Sequence, residues 1–156
     1  MGAAIHTLHV VLAGVWLGGV VFTMAVVSPA LKAMKWSEAE RVGVRLVIGK
    51  QYARVGALNL LLLLLFAVFD GLLTGFGAAL YAECALLTAV FGLVAVHGAY
   101  FGRKLARLAA TERRTESAEE ARALFAKRRS LQRLSLWVSW VNVLISVALA
   151  ALAVGA

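Results

Sequence analysis

The sequence predicts an all-α fold, a bundle of four transmembrane helices with both termini on the outer side and amphipathic cytoplasmic connections. Three observations predict it. Hydrophobic residues make up 62% of the 156 residues, and the mean hydropathy of +0.87 is far above that of a soluble domain. Four apolar runs each reach the roughly 20 residues needed to cross a bilayer. Every Lys and Arg lies within or at the borders of two connections.

The four apolar runs predict a single integral membrane domain over residues 1–156. Backbone groups that face lipid must be hydrogen-bonded within their own segment, so the runs are expected to be helices. The first run lacks a basic leader and a clear small-residue cleavage site, which favours a span over a secretory signal. The predicted spans are about 3–27, 53–76, 79–101 and 134–154, and the cytoplasmic connections are 28–52 and 102–133.

The distribution of basic residues predicts the orientation. Six of the sixteen lie between Lys32 and Arg54, and the other ten lie between Arg103 and Arg133. Both connections fall on one face of the bundle, and the positive-inside rule places that face in the cytoplasm. We therefore expect a multi-pass protein of the bacterial inner membrane, with the turn near Gly75–Gly77 facing outward. The net charge of +8 then reflects topology rather than nucleic-acid binding.

Both cytoplasmic connections are predicted to be partly helical. Ser37 followed three residues later by Glu40 has the pattern of a capping box. In 115–133 the acidic residues precede the basic ones, an order that suits the helix dipole and predicts that the fourth helix begins before the membrane. The basic residues are interpreted either as a topology signal that touches headgroups or as a docking surface for anionic lipid or a partner. The residues of that surface are Arg113, Arg114, Lys127, Arg128 and Arg129.

Polar residues inside the spans mark the predicted inward faces. Asn59 and Asp70 are eleven residues apart, about three helical turns, so they share one face of the second span. In the fourth span, small polar residues follow a 4-3-4 spacing, which lets helices approach closely and is interpreted as a packed seam. That seam consists of Ser135, Ser139, Asn142 and Ser146.

Two imidazoles and two carboxylates are predicted at one level of the outer leaflet. His6 and His9 lie near the outer end of the first span, Asp70 near that of the second, and Glu83 near the start of the third. Imidazole and carboxylate together suit a divalent transition metal, and either group alone can carry a proton. The alternative is that the carboxylates are hydrated near the membrane surface and that His6 lies among the headgroups.

The depths of the histidines restrict any haem site. His9 and His97 lie near opposite ends of their spans, about 18 Å apart in depth, so they cannot bind one iron from opposite sides. His6 and His9 lie on one helix and cannot do so either. A haem b would have to use His9 with no second histidine.

The first span resembles that of known membrane families. The first span has His9 and Trp16 with six residues between them, then two glycines and later Ser28-Pro29. This pattern resembles small four-span proteins of the copper-resistance-D-like and transmembrane-protein-205-like families. Gln51-Tyr52 agrees with the second of these. The same His-to-Trp spacing resembles haem-containing membrane protoporphyrinogen oxidases, a family with a lysine inside the third span, whereas Lys104 here lies at the cytoplasmic edge.

The resemblances imply a protein that binds or moves a small cation, such as copper, at an outward-facing site with His9 as the primary ligand and with His6, Asp70 and Glu83 completing it. The second hypothesis is a haem-binding redox protein with His9 as axial ligand, and the third is a non-catalytic scaffold or assembly subunit. Catalytic residues are not predicted. The bilayer and its anionic headgroups are expected partners, and a homodimer is a further expectation because four helices form a thin bundle.

Overall fold

The computed structural model describes residues 2–36 and 38–155, which are helical except for short breaks at 34–36, 75–77 and 115–117. Two π-helical segments, Thr23–Val27 and His97–Gly102, each join two α-helices without a break. The α-helices are α1 (Gly2–Phe22), α2 (Ser28–Ala33), α3 (Glu38–Thr74), α4 (Ala78–Val96), α5 (Arg103–Arg114) and α6 (Ala118–Gly155).

Four continuous helical stretches of the described chain are long and apolar enough to span a membrane, which confirms the all-helical fold and the presence of four such helices. Insertion into a bilayer and the outward placement of the termini stay predictions. The stretches are Gly2–Ala33, Gly43–Thr74, Ala78–Glu112 and Ala118–Gly155.

The first helical stretch continues through Pro29 to Ala33, whereas the first span is predicted to end at about residue 27. A proline ring clashes with the carbonyl four residues back in an α-helix and cannot donate a hydrogen bond to it. Here the preceding turn is π-helical, and the N–H of Ser28 bonds to the carbonyl of Thr23, five residues back. We attribute the continuation to this wider turn, which relaxes the α-helical bonding pattern just before the proline. The third span likewise passes through His97–Gly102 into α5.

The two basic connections are more helical than the spacing of their residues predicts. α3 begins at Glu38 and runs without interruption to Thr74, so the helix of the first connection and the second span are one element. The predicted cap, Ser37, lies outside the described residues. α6 begins at Ala118 and continues to Gly155, which confirms that the fourth helix starts well before its apolar part.

The predicted turn between the second and third spans is confirmed, and it is tight. Gly75 has a φ of +96°, a conformation that favours glycine, and its N–H bonds to the carbonyl of Gly71 at 2.9 Å. A side chain at Gly71 would overlap Leu80 and the ring of Phe76. Glycine at that position therefore lets α3 and α4 approach closely directly after the turn.

The core lies between α1, α3, α4 and α6. Its centre is apolar and fully enclosed, with Leu60, Leu63, Leu87 and Leu149 all at 0% exposure. The outward face of the bundle is also apolar, as shown by Trp137 and Leu144, which are exposed by 71% and 67%. An apolar exterior around an apolar core is the composition expected of helices surrounded by lipid.

α5 packs along the early part of α6, where an ion pair between a buried arginine and a partly exposed glutamate joins them. Arg128 Nε lies 3.0 Å from Glu112 Oε2, and Arg128 is buried. Arg128 was predicted to face lipid or a partner, but its burial and its ion pair place it between the two helices. Arg114, Lys127 and Arg129 are exposed. The side chain of Arg113 is outside the described part of the chain.

Candidate functional site: a buried histidine–glutamate pair

The inner face of α1 carries the polar residues of the first span. His9, Ala13, Trp16 and Val20 are all buried, a 4-3-4 spacing that keeps one face of the helix toward the core. Because α1 is apolar on every side, its hydrophobic pattern alone does not reveal which face is inside. The positions of the histidine and the tryptophan do, since they are seven residues apart and share that face.

His9 on α1 and Glu83 on α4 form a hydrogen-bonded pair inside the bundle. His9 Nε2 and Glu83 Oε1 are 2.6 Å apart, and each side chain is only 1% exposed. An unprotonated imidazole nitrogen and a carboxylate oxygen are both acceptors, so a contact this short requires a proton between them. The alternative of a hydrated carboxylate near the membrane surface does not describe Glu83, which is fully enclosed by protein.

The second atom of each group is buried without a hydrogen-bond partner among the described residues. These atoms are His9 Nδ1 and Glu83 Oε2. Buried polar atoms are normally bonded to protein or to ordered water. The pair therefore has an unused donor or acceptor position on each side, which can take up a water molecule, a proton or a cation.

His6 and Asp70 form a second, looser pair one turn closer to the N-terminus. His6 Nδ1 and Asp70 Oδ2 are 3.5 Å apart, a distance typical of an ion pair rather than of a strong hydrogen bond. The His6 side chain is 37% exposed, whereas that of Asp70 is 8% exposed. This pair thus connects the surface near the end of the bundle with its interior.

The four residues of the predicted metal site accordingly lie in two His–carboxylate pairs from three helices. Within 2–36 and 38–155, no group of three or more His, Cys, Asp or Glu side chains is arranged to hold one metal ion. A metal held jointly by His6, His9, Asp70 and Glu83 stays a prediction. His9 as found is not arranged to bind haem iron through Nε2, because Glu83 already occupies that nitrogen.

A line of polar groups continues from the pair along the inside of the bundle. Asn59 Nδ2 donates to the carbonyl of Leu12 at 3.1 Å, one turn beyond His9. Trp16 Nε1 donates to Ser146 Oγ at 2.9 Å, and Ser146 Oγ donates to the carbonyl of Asn142 at 2.7 Å. The helices α1, α3 and α6 are thus linked by side-chain hydrogen bonds at successive depths.

Two more polar atoms in this line are buried without a partner among the described residues, namely Tyr52 Oη and Asn142 Oδ1. With His9 Nδ1 and Glu83 Oε2, the polar line thus contains four atoms of this kind. His9 lies on α1, Tyr52 on α3, Glu83 on α4 and Asn142 on α6. Each atom requires a hydrogen-bond partner when it is buried, and ordered water supplies such partners in protein interiors.

The polar line is held by close packing between α1 and α3. A Cβ on Gly56 would lie 3.1 Å from the Trp16 ring, and a Cβ on Gly19 would lie 3.3 Å from Tyr52 Cε2. Each helix therefore presents an aromatic ring to a glycine of the other, and the two ring centroids are 6.2 Å apart. This reciprocal contact brings the backbones of α1 and α3 together about two turns beyond His9 along α1.

The sequence predicts the four ionisable residues of the site but does not assign Tyr52 or Trp16 to it. A signal for both was present in the spacing. Tyr52 precedes Asn59 by seven residues, as His9 precedes Trp16, so each belongs to the same face as a polar residue already singled out. Trp16 could have been found seven residues after His9, and Tyr52 seven residues before Asn59.

Comparisons with protein-family models, with curated proteins and with solved structures find no match to this chain in any of the three.

Proposed function

We propose that this protein binds a small cation at the His9–Glu83 pair and passes it through the bundle, and that the cation is a proton. The observation that carries the proposal is the 2.6 Å contact between two fully buried ionisable side chains of opposite type. The resemblance of the first span to small cation-handling membrane families supports the same class of function.

The charge of the pair explains why it would take up a cation. With a neutral imidazole and an ionised carboxylate, the pair holds one proton and carries a charge of −1. One more proton makes it neutral, either as imidazolium and carboxylate or as imidazole and carboxylic acid. An uncompensated charge is costly inside a membrane protein, so the charged form attracts a proton or another cation.

The rest of the polar line supplies a route on either side of the pair. Toward the end of the bundle, His6 lies one turn from His9 along α1, is partly exposed and pairs with Asp70. In the other direction, Tyr52 and Asn142 have buried polar atoms without a partner among the described residues, and a proton route would need water between them and the pair. Hydroxyl groups and water relay protons well because each can donate and accept a hydrogen bond.

A transition metal such as copper is the second candidate, and the repeated His–carboxylate pair favours it. Two such pairs one turn apart offer mixed nitrogen and oxygen ligands, a set that suits copper and zinc. A metal would have to draw the two pairs together, because each pair by itself supplies only two ligands.

Proton flux into liposomes tests the proposal. The purified protein is reconstituted with a pH-sensitive dye inside the vesicles, and a potassium diffusion potential is applied. We expect the wild type to conduct protons and Glu83→Gln to abolish the flux, because the amide cannot ionise. His97→Gln and Glu119→Gln, which remove an imidazole and a carboxylate outside the pair, are matched controls and should conduct normally.

The same vesicles distinguish the proton from copper as the transported cation. A copper-sensitive dye replaces the pH dye, and copper is supplied outside. Copper uptake that depends on His9 and Glu83, with no proton flux in the wild type, would show that the transported cation is the metal and not the proton. Flux of neither ion, or flux unchanged in Glu83→Gln, would contradict the proposed function.

A further inference from the structure

A groove with three cationic side chains lies where the second π-helical segment meets α5. Its lining runs from Ala99 and Tyr100 through Arg103, Lys104 and Arg107 to Leu108 and Thr111. Ala99 and Tyr100 belong to His97–Gly102, which continues the apolar third span, whereas the cations belong to α5. The groove therefore has an apolar end and a charged end.

The three cations are concentrated within little more than one turn of helix. They occupy positions i, i+1 and i+4 of α5, and Arg103 and Arg107 are exposed. Among the residues that the structure describes, none of the three forms an ion pair with a carboxylate. Lys104 Nζ donates to Tyr100 Oη at 2.6 Å, which holds the ammonium over the apolar end of the groove.

This arrangement contrasts with the neighbouring basic residue of α6. Arg128 is neutralised by Glu112 at 3.0 Å and is buried between the helices. The cations of the groove have no such compensation in the described chain, so they attract an anion from outside. Phosphate groups are well suited to it, because guanidinium groups bind them with two parallel hydrogen bonds.

We propose that the groove binds the headgroup of an anionic phospholipid. The phosphate would lie between Arg103, Lys104 and Arg107, and an acyl chain would follow Tyr100 and Ala99 toward the span. A free phosphate ion would use only the charged end, and the apolar end therefore favours a lipid. The site is separate from the His9–Glu83 pair and does not depend on the function proposed for it.

Native mass spectrometry of the detergent-purified protein tests the lipid site. Phosphatidylglycerol or phosphatidylcholine is added at equal concentration, and bound lipid is counted per protein. We expect one phosphatidylglycerol to be retained by the wild type, and retention to fall at least about tenfold in Arg103→Gln/Lys104→Gln/Arg107→Gln. The control is Lys32→Gln/Lys35→Gln/Lys50→Gln, which removes three exposed positive charges elsewhere and should retain the lipid.

Further outcomes decide the proposal. Equal retention of both lipids, or equal loss in the groove variant and the control, would overturn it, because the binding would then not depend on the headgroup charge or on the groove. Displacement of the lipid by millimolar inorganic phosphate would overturn it in favour of a free-phosphate site. Should the triple variant not fold, the single variants Arg103→Gln and Arg107→Gln must each lower retention, since both side chains are exposed.

Discussion

Glu83 depends on His9 for its stability inside the bundle. The carboxyl group is fully enclosed, and its only hydrogen bond to the described chain is the one to the imidazole. Removing one partner of a buried ionic pair leaves the other uncompensated, which destabilises a protein far more than removing both. The two residues are therefore expected to contribute to folding as one unit.

Thermal unfolding in detergent checks this dependence. We expect His9→Phe to destabilise the protein by about 3 kcal/mol, because it leaves the carboxyl group of Glu83 without a partner. Glu83→Leu should cost less, since an imidazole can be buried in its uncharged form, whereas an ionised carboxylate needs a partner. The double variant His9→Phe/Glu83→Leu should be more stable than His9→Phe alone, because no buried ionisable group remains.

The His6–Asp70 pair supplies a control for this unfolding experiment. His6 is partly exposed and lies 3.5 Å from Asp70, so water can replace much of that interaction. His6→Gln is expected to change the unfolding temperature little. Strictly additive effects of His9→Phe and Glu83→Leu would contradict the coupling.

At the scale of the elements, glycines determine how closely α1 and α3 approach. Trp16 lies against Gly56 and Tyr52 lies against Gly19, so that two rings and two glycines form one contact. Trp16 is 2% exposed and is fixed by its hydrogen bond to Ser146. The ring therefore cannot move aside for a larger neighbour.

Gly56→Ala tests the closeness of that contact. A Cβ there would lie 3.1 Å from the Trp16 ring, so we expect a loss of stability even though alanine favours helix by about 1 kcal/mol over glycine. Gly18→Ala is the matched control, since nothing lies within 4 Å of a Cβ at that position. Unfolding measured by circular dichroism should show Gly18→Ala unchanged or more stable. A stabilised Gly56→Ala would contradict the contact.

At the scale of the whole molecule, the orientation is a prediction that the charge distribution makes and that reporter fusions can check. Alkaline phosphatase is active only outside the inner membrane, and green fluorescent protein fluoresces only inside. We expect phosphatase fused after Gly155 to be active and fused within the Arg103–Arg133 connection to be inactive. Fluorescent protein at the same two positions should give the reverse pattern, and the opposite results would invert the topology.

The four helices and the turn at Gly75 could be predicted because apolar length and glycine have direct structural meanings. The pairing of His9 with Glu83 and of His6 with Asp70 could not, since depth along a helix follows from residue number but the rotation of each helix toward its neighbours depends on tertiary packing. Arg128 shows the same limit. It lies within a run of basic residues, and only the packing of α5 on α6 gives it Glu112 as a partner.

The π-helical segment at Thr23–Val27 has a consequence for insertions and deletions. Because this wider turn relaxes the α-helical bonding pattern just before Pro29, shortening it by one residue would restore the clash of the proline ring with the carbonyl four residues back, and the helix should kink or end there. The same deletion between His9 and Trp16 would turn one of them about 100° away from the core relative to the other. A one-residue deletion should thus bend the first helical stretch after Phe22 and disturb its inner face before Trp16.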